Sequence, residues 1–404
     1  WTGVLLSALL REVGASPKAR WVLAEGMDAA VMTRSVPMDI ATDDNVATVH
    51  LTSHHYGTAG SGKKVYIQAA IHADEVPAML VAHFLRQELD RLDAEGRITG
   101  EIILVPAANP IGLSQTIHGT PFGRYDLSTG VNFNRAYKHV ATDLKKSLEG
   151  KLGQDAAANV ALIRAHARES LDSWEPNTSG ALLKKTLLTM AIDADIMLDL
   201  HCDNEAVLHM YCGEPLAEAV QPLADLMGAH ALLLARESGG EPFDEACSRL
   251  WWELADHFGP EVAIPPAGVA ITVELRGESD VRYELAQPDA AALLQYLAIN
   301  GVLDIPVTPL PAARCVPTPL EAVEPLFAPH SGVLVFLKKL GDKVEAEETV
   351  AEIVNPVTGQ VTPVRPKHAG VFFASTAHRH LLRGMHVCKI AGAKAFREGD
   401  LLGS

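Results

Sequence analysis

His72 and Glu75 stand three residues apart in "IQAAIHADEVPAML", with Asp74 between them, where an apolar run stops and a helical pattern begins. Ionisable groups in such a place are costly to bury unless they are paired or hold a metal. Two more candidates stand at the ends of apolar runs: His201 closes "ADIMLDLH", and Glu274 lies near the end of "GVAITVEL". Two histidines and one glutamate form a three-ligand set for zinc with a fourth position left for water. Such a centre lowers the pKa of bound water to about 7 and polarises a carbonyl oxygen. A further carboxylate, Glu274, can carry a proton from that water to a leaving nitrogen. An arginine beside the metal can hold the developing oxyanion. A second arginine with an asparagine can grip a substrate carboxylate in a forked pair. Arg124 and the "NFNR" stretch, Asn132 to Arg135, offer residues of these types.

Each feature has a plainer explanation when taken alone. HxxE is a common spacing, His201 could be a hydrogen-bonded core or surface histidine, Glu274 could pair with Arg276, and Arg135 could be a solvated loop charge. Their joint placement is the stronger signal. In open α/β sheets ligands bind beyond the carboxyl ends of the strands, and four of these residues fall at such ends.

The strands that would carry them read as continuous apolar runs. They are "KKVYIQAAI", "EIILVPA", "ADIMLDLH", "HALLLAR" and "GVAITVEL", and a period-2 pattern precedes them near "NVATVHLTSHHYG". Segments with apolar residues at helical spacing lie between them: "EVPAMLVAHFLRQELDRL", "NVALIRAHARESL", "PLAEAVQPLADLMG", "FDEACSRLWWELADHFG" and "DAAALLQYLAING". Pro77 is tolerable in the first turn of the first helix. This alternation predicts an α/β fold, a mixed, mostly parallel sheet with helices on both faces. We expect the catalytic domain at 41–305. Residues 1–40 read as a detached extension, with a short amphipathic helix in "TGVLLSALLREVG" and a strand in "RWVLAEG". Prolines punctuate 306–329, which predicts an extended linker. Residues 330–404 carry short strands and a "GD" turn, which predicts a small all-β domain.

The bulk numbers narrow the function classes. The chain has 404 residues, enough for two or three domains, and a net charge of −16. That charge disfavours nucleic acid or an anionic membrane as a partner, since both need a basic surface. No apolar run is long enough to span a bilayer. Five scattered cysteines without a CxxC pair fit a reducing compartment, so a cytoplasmic protein is expected. The chain begins at Trp1 rather than Met, which leaves its natural start open.

"HADE", "ANPIG", "GRYD", "NFNR", "DLHCD" and "VELRG", in this order, resemble zinc carboxypeptidase-like hydrolases. The branch they resemble is the succinylglutamate desuccinylase/aspartoacylase family, over about residues 45–395. The resemblance implies one zinc ion held by His72, Glu75 and His201, with Glu274 as general base and then acid. It implies Arg124 as the oxyanion arginine and Asn134 with Arg135 as the carboxylate-binding pair. It also implies a C-terminal β domain packed near the active-site mouth. Asp199 lies two residues before His201 on the same strand and is expected to orient that ligand, with a simple surface carboxylate as the alternative. The β domain is similar to a biotinyl/lipoyl module, but its turn "VNPVTGQ" has no carrier lysine, so it is read as a cap or gate. His378, His380 and His386 are read as ordinary surface histidines. Residues 1–38 resemble a fragment of sulfite-oxidase-type molybdopterin oxidoreductases. The fragment has no cysteine for molybdenum and is expected to have no activity of its own.

The resulting expectation is a zinc-dependent amidohydrolase that deacylates a small N-acyl amino acid or related carboxylate-bearing amide. A metallocarboxypeptidase acting on short peptides is the first alternative, and a non-catalytic small-molecule binding protein the second. An oxidoreductase would rest on residues 1–38 alone. The expected partner is a small-molecule substrate; a homo-oligomer is left open.

Overall fold

The structure is a computed structural model and describes residues 36–41, 48–399 and 401–402. The helix and strand expected within 1–35 lie outside the described residues. A nine-stranded sheet forms the centre. In chain order its first strands are β1 (Val36–Ala41), β2 (Thr48–Gly57), β3 (Lys64–Ala69) and β4 (Glu101–Val105). A two-stranded hairpin, β5 (Thr116–Ile117) and β6 (Thr120–Pro121), stands apart from it. The sheet continues with β7 (Ile196–Asp203) and, after the two-residue β8 (Glu205–Ala206), with β9 (His209–Gly213), β10 (Ala231–Ala235), β11 (Val269–Gly277) and β12 (Pro317–Pro319). Its spatial order is β1-β2-β4-β3-β7-β11-β9-β10-β12. The neighbours β4-β3-β7-β11 are parallel, and so are β9-β10-β12, while β1-β2, β2-β4 and β11-β9 are antiparallel. The sheet is thus mixed and mostly parallel.

Helices cover both faces. They are α1 (Pro77–Ala94), α2 (Pro110–Leu113), α3 (Ala141–Ser147), α4 (Ala156–Asp172), α5 (Ser179–Ala191), α6 (Ala217–Met227), α7 (Phe243–Phe258) and α8 (Tyr283–Ile299). None is long and apolar enough to cross a membrane. Strand residues alternate between the faces. Val65, Ile67, Leu198, Leu200, Ile271 and Val273 pack with α1, α6 and α8. Tyr66, Met197 and Ala270 face α3, α4, α5 and α7. On that second face the residues turn polar toward the carboxyl ends: Gln68 on β3, Asp199 and His201 on β7, Thr272 and Glu274 on β11. The face therefore begins as core and ends as a site.

Two boundaries differ from expectation. Val36–Ala41 belongs to the sheet, paired with β2, although it fell inside the expected detached extension. Part of the expected linker is also regular. Pro317–Pro319 pairs with β10 at the sheet edge, where missing N–H groups cost little. Val323–Phe327 is β13, already paired within the β domain to β20 (His386–Gly392). The remaining strands of that domain are β14 (Gly332–Phe336), β15 (Lys343–Val344), β16 (Ala351–Val354), β17 (Val361–Val364), β18 (Gly370–Ser375) and β19 (His380–Leu381). They form two antiparallel sheets around Leu334, Ile353, Phe372 and Ile390. The tip of the β16–β17 turn is Val357, 92% exposed. His378 and His380 are exposed, but His386 is half-buried, and burial lowers its pKa to about 4. It is therefore not an ordinary surface histidine: it lies on β20, 6.0 Å from the Phe327 ring.

The β domain is stitched to the strand that carries His201. β8 pairs with β18, Arg379 donates to both oxygens of Glu205 at 2.8 Å, and Lys389 on β20 donates to Asp203 at 2.6 Å. Burial acts to raise the Asp203 carboxyl, but the Lys389 ammonium prevails and holds it at about 2. A depressed acid stabilises the fold above its unfolded pKa, about 3.8, and loses that contribution as pH falls through its folded value. We therefore expect the difference in Tm between wild type and Asp203→Asn to be small near pH 2 and to open by pH 4. A gap that stays constant over this range would contradict it.

The turn holding His72 and Glu75 is itself wedged. A Cβ on Gly123 would lie 2.3 Å from the Asp74 backbone nitrogen, and Ala73 N–H donates to Gly123 O at 3.0 Å. Gly123→Ala is expected to cost about 1–3 kcal/mol by overpacking and to weaken metal uptake at that turn. Thermal melts and metal titration check this; wild-type values in both would refute it.

Candidate active site

The chain leaves β3 through Ala70, a non-glycine residue at φ 60°, and turns into α1 through His72–Val76. Pro77 occupies the first turn of α1, which has no side-chain cap. Glu75 therefore sits just ahead of a helix N-terminus, a favourable place for an anion. Both of its oxygens are engaged. Oε1 lies 2.8 Å from His72 Nδ1 and accepts from Arg124 Nη1 at 3.1 Å. Oε2 lies 2.7 Å from His201 Nδ1 and accepts from Cys202 N–H at 3.0 Å. These contacts hold the Glu75 carboxyl well below the usual range despite a burial that acts to raise it.

The far nitrogens of the two imidazoles are tied as well. His72 Nε2 lies 2.8 Å from Asn132 Oδ1, which also accepts from Asn134 N–H. His201 Nε2 lies 3.0 Å from Asp199 Oδ2. Asp199 is fully buried and accepts from Gln68 Nε2, whose Oε1 accepts from Tyr66 O–H. Hydrogen bonds thus run from the core to Asp199, whose other oxygen makes a close charge contact with His201. Burial lowers the His72 pKa, with Arg124 adding to it. Burial also acts to lower that of His201, but Asp199 and Glu75 raise it well above the ordinary value.

This arrangement fits a metal ion. With hydrogen on each Nε2, directed at an acceptor, each Nδ1 presents a lone pair to a carboxylate oxygen. Lone pairs facing a carboxylate repel unless a proton or a cation lies between them. His72, Glu75 and His201 offer three buried donor atoms within 4.8 Å of one another. Two imidazoles and a carboxylate, each steered from behind by an acceptor, are the donor set and support that zinc takes.

Glu274 faces the same space from β11, in register with His201 on β7. The pairing shifts between Glu274 and Gly277, and Arg276 lies at φ 74°. The plain ion pair with Arg276 is absent, because Arg276 binds Asp289 through two hydrogen bonds of 2.7 and 2.9 Å. Glu274 Oε2 is buried without a hydrogen-bond partner among the described residues. Burial, then the carboxylates of Glu75 and Asp203, push Glu274 up to about 8.

Of the residues expected to act at the site, all but Asp199 line one open cleft of about 590 Å³, a volume that includes open solvent: His72, Glu75, Arg124, Asn134, Arg135, His201 and Glu274. Asp199 stands behind His201. Asp74 is half-buried, with Oδ1 unpartnered among the described residues. Arg124 comes from the loop after α2 and its side chain is 45% exposed. Asn134 and Arg135 belong to a loop pinned from below by Lys184 of α5, which donates to Asn132 O at 3.1 Å and Arg135 O at 2.6 Å. Sequence reasoning gave no role to Asn132, Asp203, Tyr211, Asp244, Lys389 or Leu402. Asn132 and Asp203 stood inside quoted motifs; the others reach the site only through tertiary packing.

Comparison with known proteins identifies the family and the fold. Residues 61–299 match the succinylglutamate desuccinylase/aspartoacylase catalytic domain, and residues 1–59 match the oxidoreductase molybdopterin binding domain. A search of curated proteins finds no match. Among solved structures, a succinylglutamate desuccinylase/aspartoacylase family protein from Shewanella amazonensis is 28% identical, with a TM-score of 0.77, over 89% of this chain and 98% of that one. A succinylglutamate desuccinylase/aspartoacylase from Shewanella frigidimarina is 25% identical, with a TM-score of 0.78 and the same coverage. The product-bound ectoine utilization protein from Ruegeria pomeroyi shares the fold at 17% identity, with a TM-score of 0.61, over 89% of this chain and 94% of that one. With more than half of its length matching the catalytic domain, the chain belongs to the succinylglutamate desuccinylase/aspartoacylase family, a family of deacylases.

Proposed function

We propose that this chain is a zinc-dependent deacylase that hydrolyses the amide bond of a small N-acyl amino acid or related carboxylate-bearing amide. The observation that carries this reading is Glu274: a buried, unpartnered carboxyl oxygen on the rim of a three-donor metal set. A zinc ion held by His72, Glu75 and His201 would supply Lewis acidity and an acidified water. Glu274 takes the proton of the attacking water and delivers it to the departing nitrogen. Its pKa, pushed up to about 8, suits the second task. A cation beside Glu75 offsets one of the charges that raises it, which suits the first. Arg124 donates to the carbonyl oxygen as negative charge develops there. Asn134 and Arg135 hold the substrate carboxylate. The β domain narrows the cleft with Lys389, which favours small substrates over long peptides.

The test is amine release from N-acetyl, N-succinyl and N-formyl amino acids and short peptides, with zinc-loaded and chelator-stripped protein. Release from one N-acyl class that vanishes on chelation and returns with zinc is expected. Release from peptides only, or release that survives chelation, would sink the proposal. For Glu274→Gln we expect retained zinc and a turnover lower by about 100- to 10,000-fold, the usual worth of a positioned proton carrier. Near-wild-type kcat in that variant would remove Glu274 from the reaction.

A further inference from the structure

One charged group in the cleft has no task in this scheme. Asp244 lies in the first turn of α7 and lines the cleft. Carboxylates are common in such turns because they complement the helix N-terminus. Here its neighbour Glu245 makes the local contacts: it accepts from Ser238 N–H at 2.6 Å and from Arg249 Nη1 at 3.3 Å. The Asp244 carboxylate accepts only from the backbone N–H of Glu245, and among the described residues no side chain forms an ion pair with it.

Asp244 shares a wall with the carboxylate-binding pair. The two loops involved are laced together. Ala136 N–H donates to Gly240 O at 2.8 Å, Tyr137 N–H to Glu241 O at 3.1 Å, and Phe243 N–H to Asn134 Oδ1 at 3.0 Å. The Arg135 side chain lies over Gly240, where a Cβ would come within 2.7 Å of its Cδ. The wall therefore offers a cation, Arg135, and an anion, Asp244, from two loops fixed against each other. Glu274 on β11 and the Asp203–Lys389 pair on β7 and β20 also line the cleft, each from an element other than that of Asp244. Burial, together with the Glu245 and Asp199 carboxylates, pushes Asp244 up to about 7. An arriving cation would offset that strain.

We propose that Asp244 receives an ammonium group of the substrate, so that the preferred amide is an N-acyl diamino acid, carrying both a carboxylate and a free amine, rather than an acidic or apolar N-acyl amino acid. This deepens the deacylase proposal and rests on it. Arg135 and Asn134 take the carboxylate, Asp244 takes the ammonium, and the acyl carbonyl is left between Arg124 and Glu274.

The experiment compares substrates that share an acyl group and a carboxylate but differ by one ammonium. Nα-acylated lysine and ornithine are set against the norleucine and norvaline analogues, and Nε-acyllysine against the acylated 6-aminohexanoate. The wild type is expected to favour the ammonium-bearing member of one pair by about tenfold or more in kcat/KM, the range of a charged hydrogen bond. Asp244→Asn should bring that ratio close to one, and Asp244→Glu should restore part of it. The ratio is taken within each variant, so a general loss of activity does not mimic the effect. A wild-type ratio near one, or a preference that persists in Asp244→Asn, overturns the inference while leaving the deacylase proposal standing. If no amide is hydrolysed, the deacylase proposal fails instead. Calorimetric binding of the same pairs then decides: equal affinities, or a preference insensitive to Asp244→Asn, overturn the role of Asp244.

Discussion

The interaction on which this site depends is the buried carboxylate of Glu75 between two imidazoles. Removing a carboxylate from water costs several kcal/mol unless partners replace the water. Four groups from separate parts of the chain replace it: His72 from the same turn, Arg124 from a distant loop, and His201 and the Cys202 N–H from β7. None of these is local except His72. The carboxylate can therefore be ionised and buried only when the strand-to-helix turn, the arginine loop and the central strand are all in place. Gly123 shows how tight the fit is, since its lack of a side chain lets the arginine loop lie against the backbone of Asp74.

Behind this carboxylate the sheet is graded. The face toward α7 carries apolar residues at the amino ends of its strands, hydrogen-bonding residues in the middle and ionisable ones at the carboxyl ends. Tyr66, Gln68, Asp199 and His201 trace the gradient as one line, hydrogen-bonded as far as Asp199 and closed by the Asp199–His201 charge contact. Such a line fixes the rotation of the His201 ring from within the core, so a substitution at Tyr66 or Gln68 would be felt at His201 without touching the cleft. The bulge after Glu274 has a comparable effect. By sending Arg276 to Asp289, it leaves the neighbouring glutamate without a neutralising partner.

Much of this was legible in the sequence, for identifiable reasons. β3, β7 and β11 are buried on both faces, so they read as unbroken apolar runs, and the polar residues that end them mark the site. The HxxE spacing survives in sequence because both residues lie on one short turn. What was not legible depends on long-range packing. β9 joins the sheet antiparallel to β11 and parallel to β10, and its five residues look like loop. The prolines of 317–319 suggested a linker, yet at an edge they pair with β10. Lys389 arrives from another domain, and Asp244 looked like any acidic residue at a helix start. No periodicity announces either one.

The short β8 strand has one more consequence. It follows directly after the strand bearing His201, and the β domain is hydrogen-bonded to it. A module joined only by its proline-rich connector could be exchanged or lost in evolution without disturbing the chemistry. Here, swapping it would remove the backbone partner of β8 and the ammonium beside Asp203 in the same event. The two domains are thus bound to diverge together, and changes on β18 or β20 should be inherited alongside changes at 203–206.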